Sequence, residues 1–408
     1  MIPVVYRRLL RDRATRRLLT GLGVSSLGDG MSTVTIAWLA VRVAPSGELG
    51  TYVGLAVAAY TLPGVIGALA FGRIVRHRPA RNLVLVHCLL RTGFLGMIAL
   101  LWAWDTLTPS AYVPLLAGSS LMSAWGNAGE YTMLSELGGP DGRLAMNSLA
   151  GAQVSFSVIV GPALAGLLIA GFGPGWLIAL DAASFAFLGI QAWRTPTGSV
   201  TTGEPVDTRA AESGFRLLRR RRDLLSLTVL TWLFFFLYGP VEAALPVYVA
   251  RDLQADAALL GTYWTTFGVG ALAATLVAGT LRHHNVRRIT LLIVAGWGAC
   301  LLPFAFAPVA VTVTSFAVGG LIYGPFIPLT YALFQSATTT ANLPAVLAAR
   351  SALVMISTPL GTALGGPLVG SIGAAETLAA SGAATVLLAV AASALWNREP
   401  APPANPIP

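Results

Sequence analysis

Five ionisable side chains stand in stretches otherwise too apolar for water: Asp29, Arg91, Glu130, Asp181 and Glu242. Asp29 lies between two glycines in SSLGDGMS (25–32), and Glu242 lies in FFFLYGPVEAALPVYV, bracketed by Pro240 and Pro246. Arg91 follows His87 by one helical turn. The chemistry open to such a set is proton binding and charge pairing. A carboxylate in an apolar layer must be protonated, paired or turned toward water, and an arginine there needs an acid to neutralise it. Asp29 and Glu130 are the nearest plausible partners for Arg91. No nucleophile, base and orienting group recur at a spacing that would make an enzyme. His283 and His284 are adjacent on a basic loop, which does not aim two rings at one ion, and Cys88 and Cys300 each sit alone in an apolar run. No metal, cofactor or disulfide framework is implied. All 26 basic residues are arginines, so neither a P-loop lysine nor a Schiff-base lysine exists.

The elements that must position these groups are membrane helices. The 408 residues are 55% hydrophobic and 11% charged, whereas a soluble domain carries about a quarter charged residues. Twelve apolar runs are long enough to cross a hydrocarbon layer of roughly 30 Å: residues 18–41, 50–72, 82–104, 111–134, 145–170, 175–193, 224–250, 258–281, 288–306, 309–334, 345–371 and 374–396. At 1.5 Å per residue Asp29 is roughly 16 Å deep and Glu242 roughly 27 Å from the basic end of its span. Glu130 falls near the basic-side end of the fourth span and reads as interfacial or arginine-paired. Asp181 is about six residues into the sixth from the opposite face, which favours a cap or network role.

Arginine placement orients the chain. Twenty-three of them fall in the N-terminal arm, the 73–81 loop, Arg143, the 194–222 segment, the 282–288 loop, Arg350 and Arg398, against only Arg42 and Arg251 on the other side. Both termini are therefore expected in the cytoplasm of a bacterial inner-membrane protein. The N-terminal arm reads as the start of an uncleaved first span. A net charge of +9 raises nucleic acid as a partner, but FRLLRRRRDLL (215–225) directly precedes a span and is expected to lie on an anionic inner leaflet instead. The polar stretch 195–223 divides residues 1–194 from 224–398, with a Pro-rich tail at 399–408.

The halves echo each other. RLLR recurs at 8–11 and 216–219, a basic loop at 72–81 and 279–288, and GPALAG (161–166) returns as GTALGG (361–366), at offsets of 208, 207 and 200. Three similar offsets in matching loops and spans imply a duplicated six-helix unit, the build of alternating-access transporters.

Twelve spans in a 6+6 arrangement, the glycine-to-arginine loop after the second and eighth spans, and VGPALAG resemble the major facilitator superfamily. LGDGMSTVTIAWLA, GRLAMNSLAG, ALDAASF and YGPVEAALPVYV are similar to its bacterial drug-efflux branch, which includes macrolide-efflux-like permeases. The resemblance implies an all-α membrane protein of two pseudo-symmetric six-helix bundles. It also implies gating or hinge roles for Gly72 and Arg81 in the loop, and for Gly161, Pro162, Gly166 and Gly361 in the small-residue helices. The family's acidic loop position is Arg76 here and His283 in the second copy, so half of the usual cytoplasmic latch is absent. Independently of any family, Gly161 and Gly166 permit close helix approach and Pro162 frees a carbonyl.

The expectation is a proton-coupled exporter of lipophilic small molecules, acting as a monomer without cofactor or nucleic acid. Asp29 is the favoured proton carrier, with Glu242, Arg91 and Glu130 in the coupling network. Asp29 with Trp125, Trp232, Phe236, Tyr238 and Tyr323 would line a pocket for bulky neutral or cationic compounds. A facilitator or importer of a small metabolite, and a non-transporting sensor on the same fold, are the alternatives.

Overall fold

A computed structural model describes residues 9, 11–45, 47–71, 78–196, 208–277, 285–339 and 342–396. Gly72, Arg76, Gly279, His283 and His284, and with them most of both basic loops, lie outside the described residues. The helices are α1 (Arg13–Val43), α2 (Leu49–Ala70), α3 (Ala80–Ala103), α4 (Pro109–Ser120), α5 (Ser123–Phe172), α6 (Pro174–Arg194), α7 (Thr208–Arg220), α8 (Arg222–Val247), α9 (Ala257–Val277), α10 (Val286–Leu301), α11 (Val309–Tyr323), α12 (Phe326–Ser336), α13 (Leu343–Ile372) and α14 (Ala374–Trp396). The described residues contain no strand.

The described residues make twelve membrane crossings. Helix α5 is bent at Gly139, whose φ of +60° only glycine takes readily, so its first part continues α4 as one crossing and its second part is the next. Helices α11 and α12 likewise share a crossing, interrupted at Gly324 and Pro325. Among the described residues, ten stretches are long and apolar enough to cross a membrane by length and composition. The two crossings outside that set are α1, with its Ser, Gly and Asp face, and residues 109–138, which carry Asn127, Glu130 and Glu136. Asp29 and Glu130 thus lie in the two least lipid-like crossings. They sit where other helices shield them.

Helix α1 starts at Asp12, whose carboxylate accepts the Thr15 amide at 2.8 Å and satisfies an otherwise orphan donor. Its charged first turns are exposed while Thr15, Leu18 and Leu19 are buried, so the span is entered through an amphipathic lead-in. Two prolines lie in the seventh crossing without breaking it: α8 runs through Pro240 and ends in one π turn, Tyr248–Asp252, just past Pro246. A proline inside a membrane helix is tolerated where neighbours satisfy the freed carbonyl. Interruptions at matching places of the two halves fall in the fourth and tenth crossings, at 121–122 and 324–325.

Helices α1–α6 form one bundle and α8–α14 the other. In the first, α1 packs on α5 and α6; in the second, α8 packs on α13 and α14. The same glycines serve at matched positions. Gly30 meets Gly161 between α1 and α5, and Gly239 meets Gly361 between α8 and α13. Two further seams join the bundles. A Cβ on Gly54 of α2 would lie 2.8 Å from Gly366 Cα of α13, and one on Gly166 of α5 would lie 2.8 Å from Ala258 Cα of α9, where Gly261 also meets Pro162. Gly54 and Gly261 are early in helices that start opposite the basic loops, so both seams close that side. Outward faces carry exposed apolar side chains such as Leu89, Leu276, Leu292 and Leu387, as lipid contact requires.

Helix α7 occupies part of the polar connection. Its Gly214 abuts the Ala345 carbonyl of α13 and Leu218 is buried, while Arg216, Arg219 and Arg220 are exposed. The basic segment therefore packs on the second bundle as well as presenting charge.

Candidate functional site

Asp29 is placed by the glycines on either side of it. Gly30 lets α1 lie against the α5 backbone at Ser157, and Gly28 makes room for Asp181 and Ser184 of α6; a Cβ on Gly28 would lie 2.6 Å from Ser184 Oγ. Two side chains fix the register of α5 on α1. Gln153 Nε2 donates to the Leu19 carbonyl at 2.9 Å, and Ser157 Oγ donates to the Ser26 carbonyl.

The Asp29 carboxylate is then met by groups from two further helices. Arg91 Nη1 of α3 is 3.2 Å from Oδ1, and the Tyr60 hydroxyl of α2 donates to the same oxygen at 2.8 Å. Arg91 also donates to the Tyr60 oxygen, and its guanidinium lies over the rings of Tyr60 (4.5 Å) and Phe185 (4.8 Å). Arg91 is nearly sealed, with 7% of its side chain exposed, whereas Asp29 keeps 45%. One end of the ion pair is held in protein and the other faces space. Beside it, fully buried Asp181 accepts from Ser32 Oγ at 2.5 Å and Ser184 Oγ at 3.3 Å, a network role, as its depth implied.

The space in front of Asp29 is a cavity of about 420 Å³ between α1, α5 and α6, lined by Ser26, Asp29, Asn127, Glu130, Gln153 and Ser157 among others. Leu22, Leu134 and Ala150 extend its wall toward the basic loops, opposite the sealed glycine seams. Glu130 lines this cavity, where its place near a span end had suggested an interfacial or arginine-paired group. The fourth crossing runs on past residue 134 to the bend at Gly139, so Glu130 stands further inside it than the span bounds implied. No three His, Cys, Asp or Glu side chains converge as a metal site among the described residues.

The second bundle presents different chemistry. Glu242 of α8 accepts from Thr362 Oγ1 of α13 at 3.0 Å. When Gly239 is aligned with Gly30, the residue opposite Asp29 is Tyr238, and Glu242 lies one turn further along. Trp232 stacks on Phe236 at 5.1 Å, and Tyr238 and Tyr323 approach Trp297 at 5.7 and 6.1 Å within a cluster that includes Phe234, Phe267 and Phe326. Trp232, Phe236, Tyr238 and Tyr323 thus belong to ring clusters of the second bundle, and the rings lining the Asp29 cavity are Tyr131 and Phe185. Trp125 is not among the residues lining that cavity; its indole donates to the Gly67 carbonyl at 3.1 Å and packs α5 on α2. Arg81 stands in the first turn of α3. Gly161, Pro162, Gly166 and Gly361 are all seam residues.

The pairing of Arg91 with Asp29 was foreseeable, because a buried arginine needs a counter-charge. Tyr60 as its bridge was not, although a phenol deep in an apolar run carries a hydroxyl that needs a partner. Ser32, Gln153 and Ser157 gave no signal in a chain with many small polar residues.

Residues 9–406 match the family described as transmembrane secretion effector. Over 380 residues the chain is 26% identical to the multidrug efflux pump Tap of Mycolicibacterium fortuitum, covering 90% of this chain and 91% of that one. It is 26% identical to an uncharacterized MFS-type transporter of Sinorhizobium fredii (95% and 96% covered), and 25% identical to macrolide efflux protein A of Streptococcus pyogenes (58% and 60%). Among solved structures, the nucleoside transporter NupG superposes with a TM-score of 0.74 at 13% identity, covering 95% of this chain and all of the other. The D-xylose–proton symporter gives 0.68 at 14% identity, covering 92% and 96%.

Proposed function

Since the chain belongs to the transmembrane secretion effector family of major facilitator transporters and is a multi-pass membrane transporter, not an enzyme, we propose that it exports lipophilic neutral or cationic compounds from the cytoplasm in exchange for protons. The observation that carries this reading is the asymmetry of one ion pair: Arg91 is sealed among aromatic rings while its partner Asp29 stays 45% exposed to a cavity. The arginine excess on the cavity side supports assigning that side to the cytoplasm and the conformation as inward-open. Similarity to proteins named multidrug efflux pump and macrolide efflux protein supports the direction and the substrate class.

In this reading residues 1–194 rock against 224–398, and the glycine seams between α2 and α13 and between α5 and α9 open as the basic side closes. Ionised Asp29 pairs with Arg91 while it faces the cytoplasm. When the cavity turns outward, a proton arriving on Asp29 removes its charge and releases Arg91 to the Tyr60 oxygen. A cationic substrate competes with Arg91 for the same carboxylate, so proton and cation exclude each other there and exchange follows. The rings of Trp232, Phe236, Tyr238 and Tyr323 supply the apolar and aromatic contact from the second bundle, while Glu242 is held by Thr362 beside them.

The test is transport by purified protein in liposomes under an imposed proton gradient, with a panel of lipophilic cations, with and without a protonophore. Gradient-driven movement that Asp29→Asn abolishes is the expected result. Movement indifferent to the gradient makes the protein a facilitator, and binding without movement makes it a sensor; either overturns the proposal.

A further inference from the structure

One face of α1 changes character along its length. Arg13, Arg16, Arg17, Thr20, Gly23 and Val24 follow one another at helical spacing, cationic at the basic end and apolar from Gly23 inward. The cationic part borders a recess of about 550 Å³ shared with Gln191 and Arg194 of α6. The apolar part borders a groove of about 640 Å³ shared with Leu149, Ala152 and Phe156 of α5. Arg16 and Thr20 line both, so the two spaces are continuous.

Four observations indicate what fits there. Arg13, Arg16, Arg17 and Arg194 bring four positive charges together, and no carboxylate among the described residues pairs with any of them. The groove walls face outward, with Val24 46% and Phe156 60% exposed, in a region that lies against hydrocarbon. Trp193, next to Arg194 and 64% exposed, stands at the depth where tryptophan marks the bilayer interface. Gln153 closes the inner end: its Nε2 is held by the Leu19 carbonyl while its buried Oε1 has no partner among the described residues.

We propose that this continuous recess and groove is a binding site for one anionic phospholipid, its phosphate among the arginines and one acyl chain along α1 and α5. Charge complementarity selects the headgroup, since a zwitterionic lipid brings its own cation into a recess that already holds four. The groove selects a lipid over a free anion. The site is separate from the Asp29 cavity, because the α1–α5 contacts of Gln153 and Ser157 stand between them. It is independent of the transport reading: a facilitator or a sensor would carry it equally.

Native mass spectrometry of the full chain in detergent tests this, with added phosphatidylglycerol, phosphatidylcholine or inorganic phosphate. Phosphatidylglycerol is expected to be retained at one molecule per protein at least tenfold better than phosphatidylcholine. An Arg16→Gln/Arg17→Gln variant loses that preference, whereas Arg219→Gln/Arg220→Gln on α7, which removes the same charge elsewhere, keeps it. Phe156→Ala, which opens the groove wall and leaves the arginines in place, weakens retention of phosphatidylglycerol. Equal retention of both lipids, equal loss in both arginine variants, or full competition by inorganic phosphate overturns the proposal. The last result would leave a surface anion site without a lipid. A variant that does not fold is recognised by its melting curve, and the Phe156→Ala arm then decides.

Discussion

Consider removing the charge of Asp29 and of Arg91, singly and together. The two groups are 3.2 Å apart, where unit charges attract by about 5 kcal/mol at an effective dielectric of about 20 and by about 1.3 kcal/mol in bulk water. Arg91 belongs to the first regime at 7% exposure and Asp29 lies between the two at 45%, which places their coupling near 2 kcal/mol. Asp29→Asn keeps an oxygen for Tyr60 but strands the guanidinium, to which the two rings below and above return only about 1 kcal/mol. Arg91→Met removes the cation and leaves a carboxylate that the cavity can hydrate, so it is the milder variant. In the double variant no charge is stranded, and its loss of stability is smaller than the sum of the single losses by about 2 kcal/mol. Thermal unfolding in detergent can be followed with a maleimide dye, because Cys88 and Cys300 are both buried until the bundles open. If the single losses simply add, to within about 0.5 kcal/mol, the pair is not energetically coupled and the picture of a half-sealed ion pair is wrong.

Gly54→Leu is expected to hold the α2–α13 seam apart, since its Cβ would meet the Gly366 backbone at 2.8 Å; transport falls at least tenfold, and a cysteine at buried Val369 becomes open to an impermeant maleimide only in that background. Trp125→Phe deletes the bond to the Gly67 carbonyl and costs about 1 kcal/mol in stability, while drug affinity in a binding assay stays within about twofold of the parent. The Thr15 amide holds the Asp12 carboxyl below the usual carboxylate range, so its support for α1 is complete above the ordinary carboxylate value of about 3.8 and is lost as pH falls through the lowered one. Melting curves from pH 6 to 3 should therefore show the parent losing ground to Asp12→Asn, whose cap does not titrate. Glu242→Gln keeps an acceptor for Thr362 and should leave gradient-driven transport largely intact, within about threefold, where Asp29→Asn abolishes it.

Composition alone settled that the chain spans a membrane many times, because apolar runs of some twenty residues have nowhere else to go. The repeated GPALAG and GTALGG marked the duplication, and the structure shows why those glycines recur: they sit in the same helix crossings of both bundles, where a side chain would strike backbone. The need of Arg91 for an acid was equally readable, since charge in hydrocarbon demands a partner whatever the fold. Which acid, and through which hydroxyl, was decided by packing: Tyr60 is 31 residues from both Asp29 and Arg91, a separation that carries no pairing information until three helices meet. The same holds for Glu130, whose place on the cavity wall follows from how α5 turns against α1 and not from its distance along the span. Periodicity and hydropathy report the distance of a residue from water, but the direction in which it faces depends on the rotation of each helix against its neighbours. That rotation is fixed only when the glycines of one helix have found the backbone of the next.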